Sequence, residues 1–306
     1  MYRFGRQPTL VLMSVTLCLL FLAGASVLAQ DEVTTENRAK ELYNEGVKAM
    51  QEGKPQEAIM AYKGVVEMMP EYVDAHLNLG VIYFQQKQYD LALEEFMQVT
   101  QLDPQSAEGF ANVGRVRYAT NDGLAEDAFK TAISLDPNDA GLKLELAKAI
   151  YSKGKSRAAD AAAALQAAHA AGAQDELSLY MLGKSYYNMG QKDKAVEQYK
   201  QSIAVKDNYN SRSALGSIYL QQEKFKQAAT EFKQAMKLAP SRYYASYNYA
   251  IAVESSDPEN YDVNIANWEA FVKTAKSNPS AKDRVTEARE HITALKESKK
   301  VADMNN

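Results

Sequence analysis

Cysteine is almost missing from this chain. Its single copy, Cys18, lies in an apolar stretch near the N-terminus, so the rest of the sequence offers no disulfide framework, no C-x-x-C pair and no thiol nucleophile. Histidine is nearly as scarce. His76, His169 and His291 are far apart, and none stands at a metal spacing such as H-E-x-x-H. Glycine and proline, 15 and 8 residues, form no low-complexity run, which excludes collagen-like and disordered compositions. There is no Gly-rich phosphate loop and no G-x-S-x-G elbow, so phosphate cradling and serine hydrolysis have no seat. No excess of basic residues exists either: 35 Lys and Arg face 39 Asp and Glu, which argues against nucleic acid as the partner. No catalytic residue, metal ligand or cofactor site is expected, and the chain reads as non-enzymatic.

Long apolar runs are also lacking. The one partial case, Leu10 to Ala23, is shorter than the ~20 residues of a membrane-spanning helix. Arg3 and Arg6 precede it and the small-residue stretch Ala23 to Ala29 follows, the layout of a secretory signal peptide cleaved after Ala29. A lipoprotein site at Cys18 would need small residues before it, and Val15-Thr16-Leu17 does not supply them. The expectation is therefore a signal peptide over 1–29 and a leader over 30–38, with export to a periplasm and membrane contact only before cleavage. Loss of Arg3 and Arg6 would leave 33 basic and 39 acidic residues, a net charge of −6.

What the chain does have is a repeat. Leu77 to Pro104 reads as two amphipathic helices joined by a polar turn, with Leu79, Gly80 and Tyr83 in the first and Ala92, Phe96 and Val99 in the second. Neither helix hides its apolar face alone, so the pair makes physical sense as one member of a stack. Small residues recur at Gly46, Gly80, Gly114, Ala147, Gly183, Gly216 and Ala250, with spacings of 34, 34, 33, 36, 33 and 34. Alanines recur at Ala58, Ala92, Ala125, Ala161, Ala195 and Ala228, each followed four residues later by Tyr62, Phe96, Phe129, Leu165, Tyr199 or Phe232. Pro70, Pro104, Pro137 and Pro240 close four repeats at one offset.

These positions resemble the tetratricopeptide repeat, L-G-x-x-Y, then A-x-x-x-F, then P, over roughly residues 39–275. The resemblance implies an all-α, right-handed superhelical solenoid of about seven helix-turn-helix units. The repeats fall near 39–72, 73–106, 107–139, 140–175, 176–208, 209–242 and 243–275, the last one degenerate. The first repeat is polar on one face, as a cap should be. The fourth is the outlier, with Leu165 in place of a ring and alanines filling its second helix; close helix packing and a softer joint are both open readings. A capping helix is expected over 276–300, with Val285, Ala288, Ile292 and Leu295 on one stripe, and a fraying tail over 301–306.

Two series of recurring polar positions are the candidate binding residues. Asn44, Asn78, Asn112 and Asn248 each stand two residues before the small residue of their repeat. In the resembling superhelix of O-linked N-acetylglucosamine transferases such asparagines hold an extended peptide backbone, for which an amide offers both donor and acceptor. Arg115, Lys148 and Lys184 follow the small residue of three successive repeats, and Tyr118, Tyr151 and Tyr187 come three residues after each. At that spacing cation and ring share a helix face, which suits a peptide with acidic and apolar side chains or a terminal carboxylate. The alternative is that the tyrosines pack between repeats and the cations are solvated. The family's carboxylate clamp does not carry over: its positions hold Tyr43, Val47, Asn78, Glu108 and Asn112, and Asn78 alone agrees.

The expected function is a protein-interaction scaffold in the cell envelope that holds extended peptide segments of other envelope proteins in its concave groove. Two rivals stay open: a scaffold that self-associates through its C-terminal helix, and an envelope polysaccharide-binding protein whose tyrosines stack on sugars.

Overall fold

The structure is a computed structural model that describes residues 34–305. The signal peptide expected over 1–29 lies outside the described residues. The chain forms two compact units, one ending at Pro137 and one beginning at Asn138.

Unit 1 holds three helix pairs: α1 (34–51) with α2 (Pro55–Met68), α3 (Val73–Gln85) with α4 (Tyr89–Leu102), and α5 (Ala107–Ala119) with α6 (Ala125–Leu135). Unit 2 holds four more: α7 (Ala140–Ser152) with α8 (Ala158–Ala170), α9 (Glu176–Asn188) with α10 (Lys192–Val205), α11 (Tyr209–Gln221) with α12 (Phe225–Leu238), and α13 (Tyr243–Ser256) with α14 (Tyr261–Ala275). A last helix, α15 (Lys282–Asn305), follows a short 3-10 turn at Pro279–Ala281. Among the described residues there is no strand, and in unit 2 each helix packs on the next in the chain. The pairs coincide with the expected repeats. Two ends differ from the sequence reading. Residues 34–38 of the expected leader already belong to α1, and α15 runs to Asn305 because no glycine or proline interrupts it after Lys300.

One contact explains the repeat signature. The ring that ends A-x-x-x-F presses against the glycine of the preceding helix, leaving no room for a side chain there. A β-carbon added to Gly80 would come within 2.5 Å of Phe96, one on Gly46 within 2.6 Å of Tyr62, and one on Gly183 within 2.7 Å of Tyr199. Each ring is almost fully buried, and burial of such a side chain contributes about 1.5–3 kcal/mol. In the fourth repeat the ring is replaced by Leu165 and the glycine by Ala147; both are fully buried, so the smaller partner makes room for the methyl group. The alanines of α8 at Ala158, Ala161, Ala162 and Ala168 are buried as well, so this helix is closely packed. In the seventh repeat Asn264 takes the position of the recurring alanine, and its amide donates to the Asp257 carbonyl at 3.0 Å, fastening the inserted turn.

A second regularity lies in the turn within each pair. Gly53, Lys87, Asn121, Gly154, Gly190 and Glu223 have φ between 57° and 86°, and each stands seven residues after the small residue of its repeat. The turn therefore demands a left-handed backbone, which glycine adopts freely and Lys87 and Glu223 adopt at a cost. The stripe on α15, Val285, Ala288, Ile292 and Leu295, is buried with Ala250, Trp268 and Phe271 in one cluster. Helix α15 is thus a cap on the last repeat.

Gly80→Ala should lower stability by about 1–3 kcal/mol through overpacking against Phe96, read from the urea midpoint. Adding Phe96→Leu, which reproduces the Ala147 and Leu165 pair, should recover part of that loss; no recovery would show that the ring is not the obstacle. Lys87→Gly should stabilise the protein by up to about 1 kcal/mol by relieving the left-handed strain, and a lower midpoint would refute it.

Candidate functional site

In unit 2 the first helices of successive pairs turn one face toward a shared concavity. Helix α9 contributes Tyr180, Lys184 and Tyr187, spaced four and three apart. Helix α11 contributes Asn210, Ser213, Ser217 and Gln221, and α13 contributes Tyr243 and Tyr244. With Tyr209 and Arg242 they line a trough of about 570 Å3. Its rim is internally braced. Gln221 Nε2 donates to Tyr187 Oη at 2.8 Å, and the hydroxyls of Ser217 and Tyr244 are 3.2 Å apart. Arg242 Nη1 donates to Asn210 Oδ1 at 3.1 Å while its guanidinium lies 4.6 Å from the centre of the Tyr209 ring. Tyr199 also lines the trough, packed 5.7 Å from Tyr180, and burial pushes its phenol pKa up.

Tyrosine, serine and asparagine give this surface rigid amphipathic area and adaptable hydrogen bonding, the residue types that antibody paratopes use. Among the described residues its lining includes two cations, Lys184 and Arg242, and no carboxylate. A second cavity of about 420 Å3 is lined by Tyr151, Lys155, Lys184, Ser185 and Asn188 among others, again without a carboxylate. Lys184 borders both. Burial pushes the Tyr151 phenol up to about 12.

The structure brings together three of the sequence-derived candidates, Tyr151, Lys184 and Tyr187, around these two cavities, with the Lys184 ammonium 5.1 Å above the Tyr187 ring. The others have different surroundings. Lys148 lines neither cavity; the Asp175 carboxyl is held below its usual range, against the effect of burial, by hydrogen bonds with Ser178 and then by the Lys148 charge. Asn248 donates to the Tyr244 carbonyl of its own helix at 2.8 Å. In unit 1 Asn44 is exposed, whereas Asn78 is half-buried and donates to Tyr43 Oη at 3.1 Å. Asn112, only 5% exposed, accepts from Arg115 at 2.7 Å. Tyr118 is 42% exposed. Asn78 Nδ2 and Asn112 Oδ1 thus bond neighbouring side chains, while Asn112 Nδ2 is buried with no partner among the described residues.

Sequence reasoning missed Tyr180, Ser213, Ser217, Arg242 and Tyr244. The signal was positional. Tyr180 and Ser213 both stand three residues before their glycine, and Lys184 and Ser217 one residue after it. Following those offsets whatever the residue type, rather than looking for charge and ring, finds the serines.

A family model described as the cilia and flagella-associated protein 70 C-terminal domain matches residues 20–254. The chain belongs to this tetratricopeptide family. Protein CTR9 homolog of Arabidopsis thaliana is 33% identical over 78 residues, 26% of this chain and 7% of that protein. Small glutamine-rich tetratricopeptide repeat-containing protein 2 of Mycosarcoma maydis is 28% identical over 137 residues, 44% of this chain and 39% of that protein. The chain thus spans well under half the length of both relatives. Among solved structures, the C-terminal part of a tetratricopeptide protein from Cytophaga hutchinsonii is similar at a TM-score of 0.63 and 17% identity, over 79% of this chain and 98% of that one. Pseudomonas aeruginosa pilF gives a TM-score of 0.58 and 16% identity over 72% and 98%. YrrB, described as a tetratricopeptide protein with an unusual peptide-binding site, gives 0.53 and 17% over 61% and 95%. These structures establish the tetratricopeptide solenoid fold.

The histidines of this tetratricopeptide protein serve structure. Among the described residues no set of three or more His, Cys, Asp or Glu side chains is gathered as for a metal, and no helix is long and apolar enough to cross a membrane. His76 Nδ1 lies 2.7 Å from Glu95 and its Nε2 2.8 Å from the Pro70 carbonyl, two acceptors that the imidazolium satisfies by donating from both nitrogens. The hydrogen bond to Glu95 is the main reason its pKa is raised. His169, 3.0 Å from the Ser178 hydroxyl, is lowered, chiefly by burial.

The two signs oppose each other. Stabilisation by His76 is complete below the unfolded value of ~6.5 and is lost as pH rises through its raised folded value. Stabilisation involving His169 is complete above ~6.5 and is lost as pH falls through its lowered folded value. Hydrogen exchange, corrected for intrinsic rates, should show unit 1 better protected at pH 6 than at pH 8 and unit 2 the reverse. His76→Phe should abolish the first trend, and the same trend in that variant would refute the assignment.

Proposed function

We propose that this tetratricopeptide scaffold is exported to the cell envelope and there binds an extended segment of another protein in the trough formed by α9, α11 and α13. The observation that carries this reading is the trough itself. It is a preformed concavity whose lining tyrosines are already held by neighbours, so little side-chain freedom is lost on binding. Its serines and amides offer donors and acceptors to a peptide backbone. The family supports protein interaction as the general role. Within that role Tyr180, Lys184, Tyr187, Ser213 and Tyr244 are the contact residues, joined at the second cavity by Tyr151. Asn44, Asn78, Asn112, Arg115, Tyr118, Lys148 and Asn248 stand outside this trough.

The rival scaffold, self-association through α15, is less favoured because the stripe it would use is already buried on the last repeat. Polysaccharide binding could draw on the same tyrosines, and the test below separates it.

Segments selected from a random peptide display library against the full chain should bind Tyr180→Ala and Tyr244→Ala variants about 10-fold to 100-fold more weakly than wild type, the usual effect of truncating a buried aromatic contact. Tyr118→Ala, in unit 1, should change nothing. Undiminished binding to the Tyr180 and Tyr244 variants would overturn the trough reading, and retention of envelope glycans in place of peptides would favour the polysaccharide role. Export is checked by the N-terminal residue of the protein recovered from its own cells, expected to be Gln30.

A further inference from the structure

The charge pattern of unit 2 names the ligand class. This inference rests on the trough being the binding site, and we infer that the segment bound there is acidic: carboxylate side chains seat between Lys155, Lys184 and Arg242, with Ser213 donating a hydrogen bond from the floor. Three observations carry it. The chain as a whole is net acidic at −4, yet the linings of both cavities hold cations and no carboxylate. Lys155 and Lys184 line one cavity and Lys184 and Arg242 the other, so Lys184 borders both and links the two sets of cations. None of the three forms an ion pair among the described residues; Lys184 and Arg242 lie on tyrosine rings, which orient a cation and leave its charge uncompensated.

Ser213 adds a further observation. It lines the trough, is 6% exposed, and its buried hydroxyl has no hydrogen-bond partner among the described residues. Ser217, one turn on, instead donates to the Ser213 carbonyl at 2.8 Å, as a helical serine usually does. A buried hydroxyl without a partner is costly in the free protein. An arriving carboxylate or carbonyl oxygen would satisfy it. Carboxylates of side chains, rather than a chain terminus, fit because the cations are spread over two cavities instead of converging on one point.

The test uses the full chain and three peptides of one length, acetylated and amidated so that no terminal charge exists, in which glutamate, glutamine or lysine alternates with tyrosine and serine. Fluorescence anisotropy should show the glutamate peptide binding at least about tenfold more tightly than the glutamine peptide, with the difference shrinking as salt rises. Lys184→Glu with Arg242→Glu should reverse the preference toward the lysine peptide. Ser213→Ala removes no bond from the free protein, so its melting temperature should be unchanged or higher while affinity for the glutamate peptide falls. Equal binding of the glutamate and glutamine peptides, both lost in Tyr180→Ala, would overturn the acidic assignment and leave the trough standing. Binding of all three peptides unaffected by Tyr180→Ala would overturn the trough as well. Tighter binding of a sulfated polysaccharide or an oligonucleotide than of the glutamate peptide would overturn assignment to a protein segment.

Discussion

A ring pressed on a bare glycine sets the geometry on which the rest of this protein depends. Phe96 on Gly80, Tyr199 on Gly183 and their counterparts fix how closely the two helices of a pair approach. That spacing in turn decides where the next pair can sit. Interiors pack at crystal-like density, so a mismatch of one methyl group is felt. The fourth repeat shows the rule from the other side, since Ala147 and Leu165 change together and both remain buried. The pairing is therefore a single unit of information spread over two helices.

The same first helices carry two independent messages. One face, through Gly183 and Gly216, answers to the ring beneath it and admits almost no variation. The neighbouring positions, Tyr180, Lys184, Ser213 and Ser217, line the trough, and there the residue type differs between repeats. Ser213 makes the distinction concrete: it lines the trough, and its buried hydroxyl is one of several groups with no partner among the described residues. On the proposed reading, binding is written in the positions that packing leaves undecided.

That division explains what could be read from the sequence. The helix pairs, their boundaries and the cap formed by Val285, Ala288, Ile292 and Leu295 follow from periodicity, because burial imposes the same residue types in every repeat. Lys184, Tyr187 and Tyr151 were legible as a cation and rings at helical spacing. Arg242 was not, because it lies in a loop just before α13 and its place over Tyr209 depends on how two repeats stack. The asparagine series shows the converse. Its regular spacing is real, and only the side-chain environment reveals that Asn78 Nδ2 and Asn112 Oδ1 bond Tyr43 and Arg115 while Asn112 Nδ2 is buried with no partner among the described residues. The left-handed turn residue was hidden because it is glycine in some repeats and Lys87, Asn121 or Glu223 in others, so the conformation recurs without the letter.

Length variation between the repeats has a further meaning. The turn of the fourth repeat is two residues longer than that of the second, and the added chain forms the 3-10 turn Lys155–Arg157. That extension carries Lys155 to the wall of the second cavity. One of the three cations thus entered by insertion, where comparing repeats column by column would record only a gap. Selectivity in such an array can drift through slippage at the tips of its hairpins while every packed column stays in register.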